Sequence, residues 1–250
     1  MTEVIIVTGA SRGIGHAICC HLLSNPTCKV FAVARQPEPL QKLHLAYPDR
    51  MQYLCGDLAD PAFGMAVVTR CLTAFGHING VAVNHAIIEP VGVAADIEVA
   101  DWMATFNVNF FGSVALVNAA LPALRQARGR IIITQSHSIN RYYRGWGPYG
   151  ASKAALHHYA GTLTLEEPLI NVLGIVPGMV DTAMSKRVRE RYGPAMDAGD
   201  HQSLVALYET SQMVKPEQPG GVIAELALRA PATLRGKFLD WDDHILEEFK

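Results

Sequence analysis

Val4-Ile5-Ile6-Val7-Thr8-Gly9-Ala10-Ser11-Arg12-Gly13-Ile14-Gly15 is the stretch whose reading decides the fold. Four consecutive β-branched residues read as a strand buried on both faces. The glycines that follow read as a tight turn into a helix from about Gly13 to Leu23. A Cβ in such a turn would strike the backbone, or a pyrophosphate laid against it. The unpaired N–H groups at the helix start carry partial positive charge toward that anion. Gly9, Ser11, Arg12, Gly13, Ile14 and Gly15 are therefore the candidate phosphate-binding residues.

Moving outward, short apolar runs alternate with helical patterns. Strands are expected at Val30–Ala34, Gln52–Cys55, Gly80–Asn84, Arg130–Thr134, Ile170–Val176 and near Gly236–Asp240. Helices are expected near Pro39–Ala46, from about Asp60, as one long segment Asp101–Gln126, and at Tyr149–Glu167. Asp60-Pro61 suits a cap followed by proline at the first helical position. The pattern implies an α/β fold: one doubly wound parallel sheet of Rossmann type with helices on both faces, spanning residues 1–250 as a single domain. One stretch, Pro177 to Lys215, breaks the rhythm; its part from about 179 to 215 is a candidate substrate lid.

Composition narrows the function. Half of the 250 residues are hydrophobic, 18% are charged, and 21 Lys and Arg against 23 Asp and Glu leave a net charge of -2. That balance offers no field for nucleic acid or an anionic membrane surface, so a small molecule is the expected partner. The five cysteines form no Cys-x-x-Cys pair and read as reduced core thiols. The N-terminus runs straight into a strand and no long apolar run stands out, so a cytoplasmic protein without a targeting segment is expected. Ten histidines include no His-Glu-x-x-His spacing, and no metal site is expected. No Gly-x-Ser-x-Gly elbow occurs, which argues against a hydrolase.

The second strand runs into Arg35-Gln36-Pro37, and no acid appears before Glu38. A fold that binds NAD usually places Asp or Glu about 20 residues past the glycine turn, for the ribose 2′-hydroxyl. Arg12 and Arg35 in its place suit a 2′-phosphate, so NADPH/NADP+ is the expected cofactor. Asp57 has two readings, an acceptor for the adenine amino group or a cap for the next helix. Asn84, at the end of the fourth strand, can tie that strand to its neighbours.

Tyr149 and Lys153 stand four residues apart at a helix start and so share a face. An ammonium beside a phenol stabilises the phenolate and makes the pair a proton donor and acceptor for a carbonyl oxygen. Ser136, just past the fifth strand, can hold that oxygen. Asn109 is a polar residue in the apolar run Asn107-Val108-Asn109-Phe110-Phe111, and a satisfied buried amide explains it equally well.

Taken in order, Thr-Gly-x-x-x-Gly-x-Gly, Asn84, Asn109, Ser136, Tyr149-x-x-x-Lys153 and Pro177-Gly178 resemble the short-chain dehydrogenase/reductase family along essentially the whole chain. The resemblance implies Ser136, Tyr149 and Lys153 as a catalytic triad, with Asn109 as a fourth member supporting a water relay to the lysine. It implies Tyr149 and Lys153 at the cofactor as well, and Pro177, Gly178, Val180 and Thr182 around the nicotinamide carboxamide. Glu89-Pro90-Val91, the run Trp146 to Leu156, and Pro177 to Thr182 are similar to the fungal benzil reductases, a branch like the sepiapterin reductases that favours NADPH. That implies reduction of a bulky or aromatic ketone or one carbonyl of an α-diketone, by a homo-oligomer. A catalytically silent, NADP(H)-sensing scaffold on the same fold is the alternative.

One departure stands out. The family usually has Asn-Ala-Gly after the fourth strand, and this chain has Asn84-His85-Ala86. His85, and His137 next to Ser136, have two readings: groups in the cleft that titrate near pH 6 to 7, or rings bonded to backbone. The long helix, apolar on more than one side through Phe110, Phe111, Val114, Leu116, Val117 and Leu121, is either deeply buried or a subunit interface. Met179, Met184, Met196 and Met213 are candidates for a flexible apolar lid lining.

Overall fold

The computed structural model describes residues 2–250. Seven strands, β1 (Glu3–Thr8), β2 (Cys28–Ala34), β3 (Met51–Cys55), β4 (Gly80–Val83), β5 (Arg130–Thr134), β6 (Asn171–Val176) and β7 (Phe238–Asp240), form one sheet in the order β3-β2-β1-β4-β5-β6-β7. Every pairing is parallel. Strand order reverses between β1 and β4, which opens a crevice at their carboxyl ends.

Both faces of the sheet are covered. Ile5 and Val7 of β1 pack with α1 (Gly13–Ser24), Leu40 of α2 (Pro37–Ala46) and the helix Glu217–Arg229. Val4 and Ile6 point the other way, into α3 (Pro61–Phe75) and the helices that follow β4 and β5. This is why β1 reads as an unbroken apolar run rather than an alternating one. Asp60 caps α3, its Oδ1 accepting from the Ala62 N–H at 2.9 Å.

The expected helix Asp101–Gln126 differs in one respect that matters. It comprises α4 (Val99–Phe106), a π-turn (Asn107–Phe111) and α5 (Gly112–Ala127). The π-turn holds one extra residue, and the Gly112 N–H donates to the Asn107 carbonyl. Val99–Ala127 also reaches the length and hydropathy of a membrane span, but Leu116, Val117, Ala120 and Leu124 are fully buried against the sheet. The remaining helices are α6 (Gly147–Glu166), α7 (Ala183–Arg191), α8 (Ala198–Glu209) and α9 (Glu217–Arg229).

The stretch after Pro177 is folded. Helices α7 and α8 build a third apolar cluster with Ile88, Trp146, Val188, Met196, Leu204 and Met213 beside the crevice. The five cysteines are free; Cys19, Cys28 and Cys71 are core residues, whereas Cys20 is exposed.

Candidate active site

A cleft of about 740 Å³ lies over the carboxyl ends of the strands and runs from the glycine turn to α7 and α8. At one end, Gly9 (φ +66°) and Gly13 (φ +54°) take left-handed backbone that favours glycine. A Cβ on Gly15 would stand 2.3 Å from the Gly9 carbonyl oxygen, so the turn closes only without one. Helix α1 has no side-chain cap and no acid in its first turn, which leaves its N–H groups free for an anion. Ser11, Arg12, Ile14 and Arg35 line the same end.

Asp57 also lines the cleft; its Oδ1 accepts from the Ala59 N–H at 2.9 Å. Since Asp60 caps α3, the helix-cap reading of Asp57 is corrected. Asn84 braces the crevice. Its Nδ2 donates to the Thr8 carbonyl at 3.3 Å, and its Oδ1 accepts from Thr134 Oγ1 at 3.1 Å, joining β1 to β5.

At the chemical end the first turns of α6 carry Tyr149 and Lys153 into the cleft, 8% and 2% exposed. Lys153 Nζ donates to the Thr134 carbonyl at 2.9 Å and stands 6.0 Å from the Tyr149 ring centroid. Burial lowers the lysine pKa to about 8. Burial raises the Tyr149 phenol above its usual range, and a hydrogen bond with the Ser136 side chain draws it partly back. A protonated phenol with a hydroxyl beside it is the state required of a general acid. Ser136 is held in turn, its Oγ accepting from the Ser138 N–H at 3.2 Å.

Asn109 sits in the π-turn, fully buried. Its Oδ1 accepts from the Ile87 N–H at 2.8 Å, and its Nδ2 donates to the Ile87 carbonyl at 2.9 Å and to Ser152 Oγ at 3.0 Å. Ser152 Oγ donates to the Tyr149 carbonyl at 2.8 Å. These bonds make Asn109 a satisfied buried amide that braces the first turn of α6.

Residues 3–193 match the short chain dehydrogenase family. The chain belongs to that family. Among solved structures it is similar to YIR035C, a short chain dehydrogenase/reductase of Saccharomyces cerevisiae, with 37% identity, 99% of each chain covered and a TM-score of 0.96. It is 35% identical to the benzil reductase ((S)-benzoin forming) IRC24 of the same yeast, over 98% of each chain. A short chain dehydrogenase from Burkholderia cenocepacia, solved in complex with NADP, shares 26% identity over 95% of each chain, with a TM-score of 0.81.

As a short-chain dehydrogenase the protein is an oxidoreductase, and its second half shapes the far end of the cleft. Gly178 (φ +73°) follows Pro177, Val180 is buried, and Thr182 caps α7 through a reciprocal bond pair with Ser185. The Thr182 methyl lies 3.2 Å from where a Cβ on Gly13 would be, so this segment closes over the glycine turn. Ile88, Tyr143, Trp146, Met179, Met184 and Val188 give the far end an apolar wall. Met196 and Met213, expected at the lid lining, are buried in the cluster behind it instead. Arg187 and Arg141 also reach the cleft, but each is engaged: Arg187 Nε with Glu89 Oε1 at 2.6 Å, and an Arg141 amino group with Asp200 Oδ1 at 2.6 Å.

The two histidines of this short-chain dehydrogenase part company. His85 is buried with both ring nitrogens bonded, and burial, reinforced by the positive charge of Lys153, lowers its pKa to about 4. Of its two readings, titration near pH 6 to 7 is therefore excluded, and the ring is bonded to backbone at Val108. His137 is exposed at the rim, its Nε2 2.9 Å from Asp240 Oδ1 on β7. Sequence reading missed Thr8, Thr134, Ser152 and the apolar wall apart from Met179 and Met184. The two threonines end strands beside the crevice, and that position was the available signal.

Proposed function

We propose that this protein reduces the carbonyl of a bulky, uncharged ketone or α-diketone to an alcohol, with NADPH as reductant. The observation that carries the reading is the buried Tyr149 phenol, lining the cleft with Ser136, its ring centroid 6.0 Å from Lys153 Nζ, and opening onto an apolar wall. The name of IRC24, a benzil reductase, supports a diketone substrate. Cancellation of Arg187 and Arg141 by Glu89 and Asp200 supports an uncharged one.

The glycine cradle fits a dinucleotide because its backbone closes without Cβ atoms and its helix start is uncapped. Gly9, Ser11, Arg12, Gly13, Ile14 and Gly15 would hold its phosphates, Asp57 the adenine, and Asn84, Pro177, Gly178, Val180 and Thr182 the nicotinamide end. Arg12 and Arg35, with no acid before Glu38, support the 2′-phosphate form, as does the NADP complex of the Burkholderia relative. NADPH, when bound, supplies the hydride. Ser136 orients the substrate oxygen, Tyr149 gives it a proton, and Lys153 stabilises the phenolate left behind. Asn109 acts through Ser152 on the placement of Tyr149.

Residues 179–215 act as the substrate lid. A homo-oligomer packed through the Val99–Ala127 helix follows the exposure of Val99, Met103 and Phe111 along it. A cytoplasmic site of action accords with a solved yeast relative described as a cytoplasmic protein.

The test is the loss of reduced-nicotinamide absorbance with benzil, comparing NADPH with NADH and wild type with Tyr149→Phe. The expected result is NADPH-preferring turnover that falls by roughly 10²–10⁴-fold in the variant, with NADP+ binding retained. NADP+ binding without turnover on any of a broad carbonyl panel would overturn the reading in favour of a cofactor-sensing scaffold.

A further inference from the structure

His85 stands where the family pattern has alanine, and its ring is wired on both sides. Nδ1 lies 2.8 Å from Thr8 Oγ1, and Nε2 lies 3.0 Å from the Val108 carbonyl. The tautomer follows from the partners. Thr8 Oγ1 already accepts from the N–H groups of Asn84 (2.9 Å) and His85 (3.2 Å), and of the two acceptors within its reach Nδ1 at 2.8 Å is nearer than the Ala82 carbonyl at 3.4 Å, so its own proton goes to Nδ1. Nε2 must then carry the ring proton and donate it to Val108. The charged groups that bear on the ring are Lys153 on α6, which disfavours protonation together with burial, and Asp57 after β3, which opposes it; the first two prevail.

These two bonds join parts of the molecule far apart in sequence. Thr8 precedes Gly9 in the glycine turn. Val108 lies in the π-turn next to Asn109, which continues through Ser152 to the Tyr149 backbone. We propose that His85, as the neutral Nε2–H tautomer, is a positioning residue that locks the π-turn to the end of β1 and thereby sets the glycine turn in register with Tyr149. The proposal rests on the reductase reading for its catalytic consequence, and on geometry alone for the lock.

Three variants separate the two bonds. His85→Gln places an amide donor near the Nε2 position and keeps the bond to Val108. His85→Asn reaches only the Nδ1 position, and His85→Ala reaches neither. Loss of a bond to a buried carbonyl predicts a fall in kcat of about tenfold in the Asn and Ala variants, with kcat in the Gln variant within about threefold of wild type. NADP+ affinity should change by less than about threefold in all three, because no cradle residue is altered.

Two readouts stand apart from turnover. Nitrogen-15 NMR of the NADP+-bound protein should show His85 as the Nε2–H tautomer, still neutral at about pH 5 given its pKa near 4. Amide exchange across Asn107–Ser113 should speed up about tenfold in the Asn and Ala variants and stay unchanged in the Gln variant. An Nδ1–H or charged ring at pH 6 would overturn the proposal. So would equal exchange in all variants, or a Gln variant as slow in turnover as Ala. If wild type reduces no ketone while exchange and tautomer behave as stated, the lock stands and the reductase reading fails.

Discussion

The two ends of the cleft are built by different means. The glycine end is made of backbone: left-handed Gly9 and Gly13, a Gly15 with no room for a methyl, and a helix start without a cap. The far end is made of side chains. Arg187 pairs with Glu89, Arg141 with Asp200, and Arg144 donates to the carbonyls of Pro194, Ala195 and Met196. Backbone geometry tolerates almost no change of shape, whereas a half-exposed ion pair can be exchanged at small cost. The difference teaches that this fold keeps the glycine end fixed and leaves the far end adjustable.

That contrast can be broken in stages. The largest effect belongs to Gly15→Ala, whose Cβ meets the Gly9 carbonyl oxygen at 2.3 Å. It should cost more than about 3 kcal/mol, lower Tm by roughly 10 °C and abolish measurable NADP+ binding. Differential scanning fluorimetry with and without NADP+ checks this, and an unchanged Tm shift on adding NADP+ would break the comparison.

Next comes the buried His85, which makes the glycine end sensitive to acid. Its pKa is about 4 in the folded protein and 6.5 in its unperturbed state, so between these values the unfolded chain holds more protons. The stability linked to this ring is complete above about pH 6.5 and is lost as pH falls toward and through 4, by about 3 kcal/mol. Urea midpoints measured from pH 7.5 to 4 should fall more steeply in wild type than in His85→Gln; parallel slopes would remove the ring from the explanation.

The smallest effect is expected at the far end. Arg187→Ala should raise the ketone KM about threefold and change stability by about 1 kcal/mol or less, because its partner Glu89 is partly solvated. The KM increase should shrink in high salt as screening weakens the wild-type pair. A fall in kcat with KM unchanged would show the pair to act on chemistry rather than on closure.

Much of the fold was legible because its signals are local. A buried strand, a glycine turn and a helix start occupy consecutive residues at Val4–Gly15, and the Tyr149 and Lys153 spacing is one helical turn. Helix bounds moved by a few residues, as where α6 begins at Gly147 and α2 at Pro37, whereas Asp60 caps α3 as its Asp-Pro opening predicts. The π-turn was not legible, since one inserted residue leaves the apolar periodicity of Val99–Ala127 nearly intact. The pairings of Arg187 with Glu89 and of His85 with Thr8 and Val108 join residues from separate elements, and no spacing announces them.

The sequence by itself determined the parallel sheet, the glycine turn and the Tyr149 and Lys153 pair that lines the cleft, because each rests on residue type at a short spacing. Only the tertiary structure decided their states. Burial raised the Tyr149 pKa and lowered that of Lys153, the Ile87 backbone and Ser152 claimed the Asn109 amide, and Thr8 and Val108 chose the tautomer of His85. Desolvation and hydrogen-bond satisfaction depend on what packs around a group, and those neighbours come from elements distant in the chain.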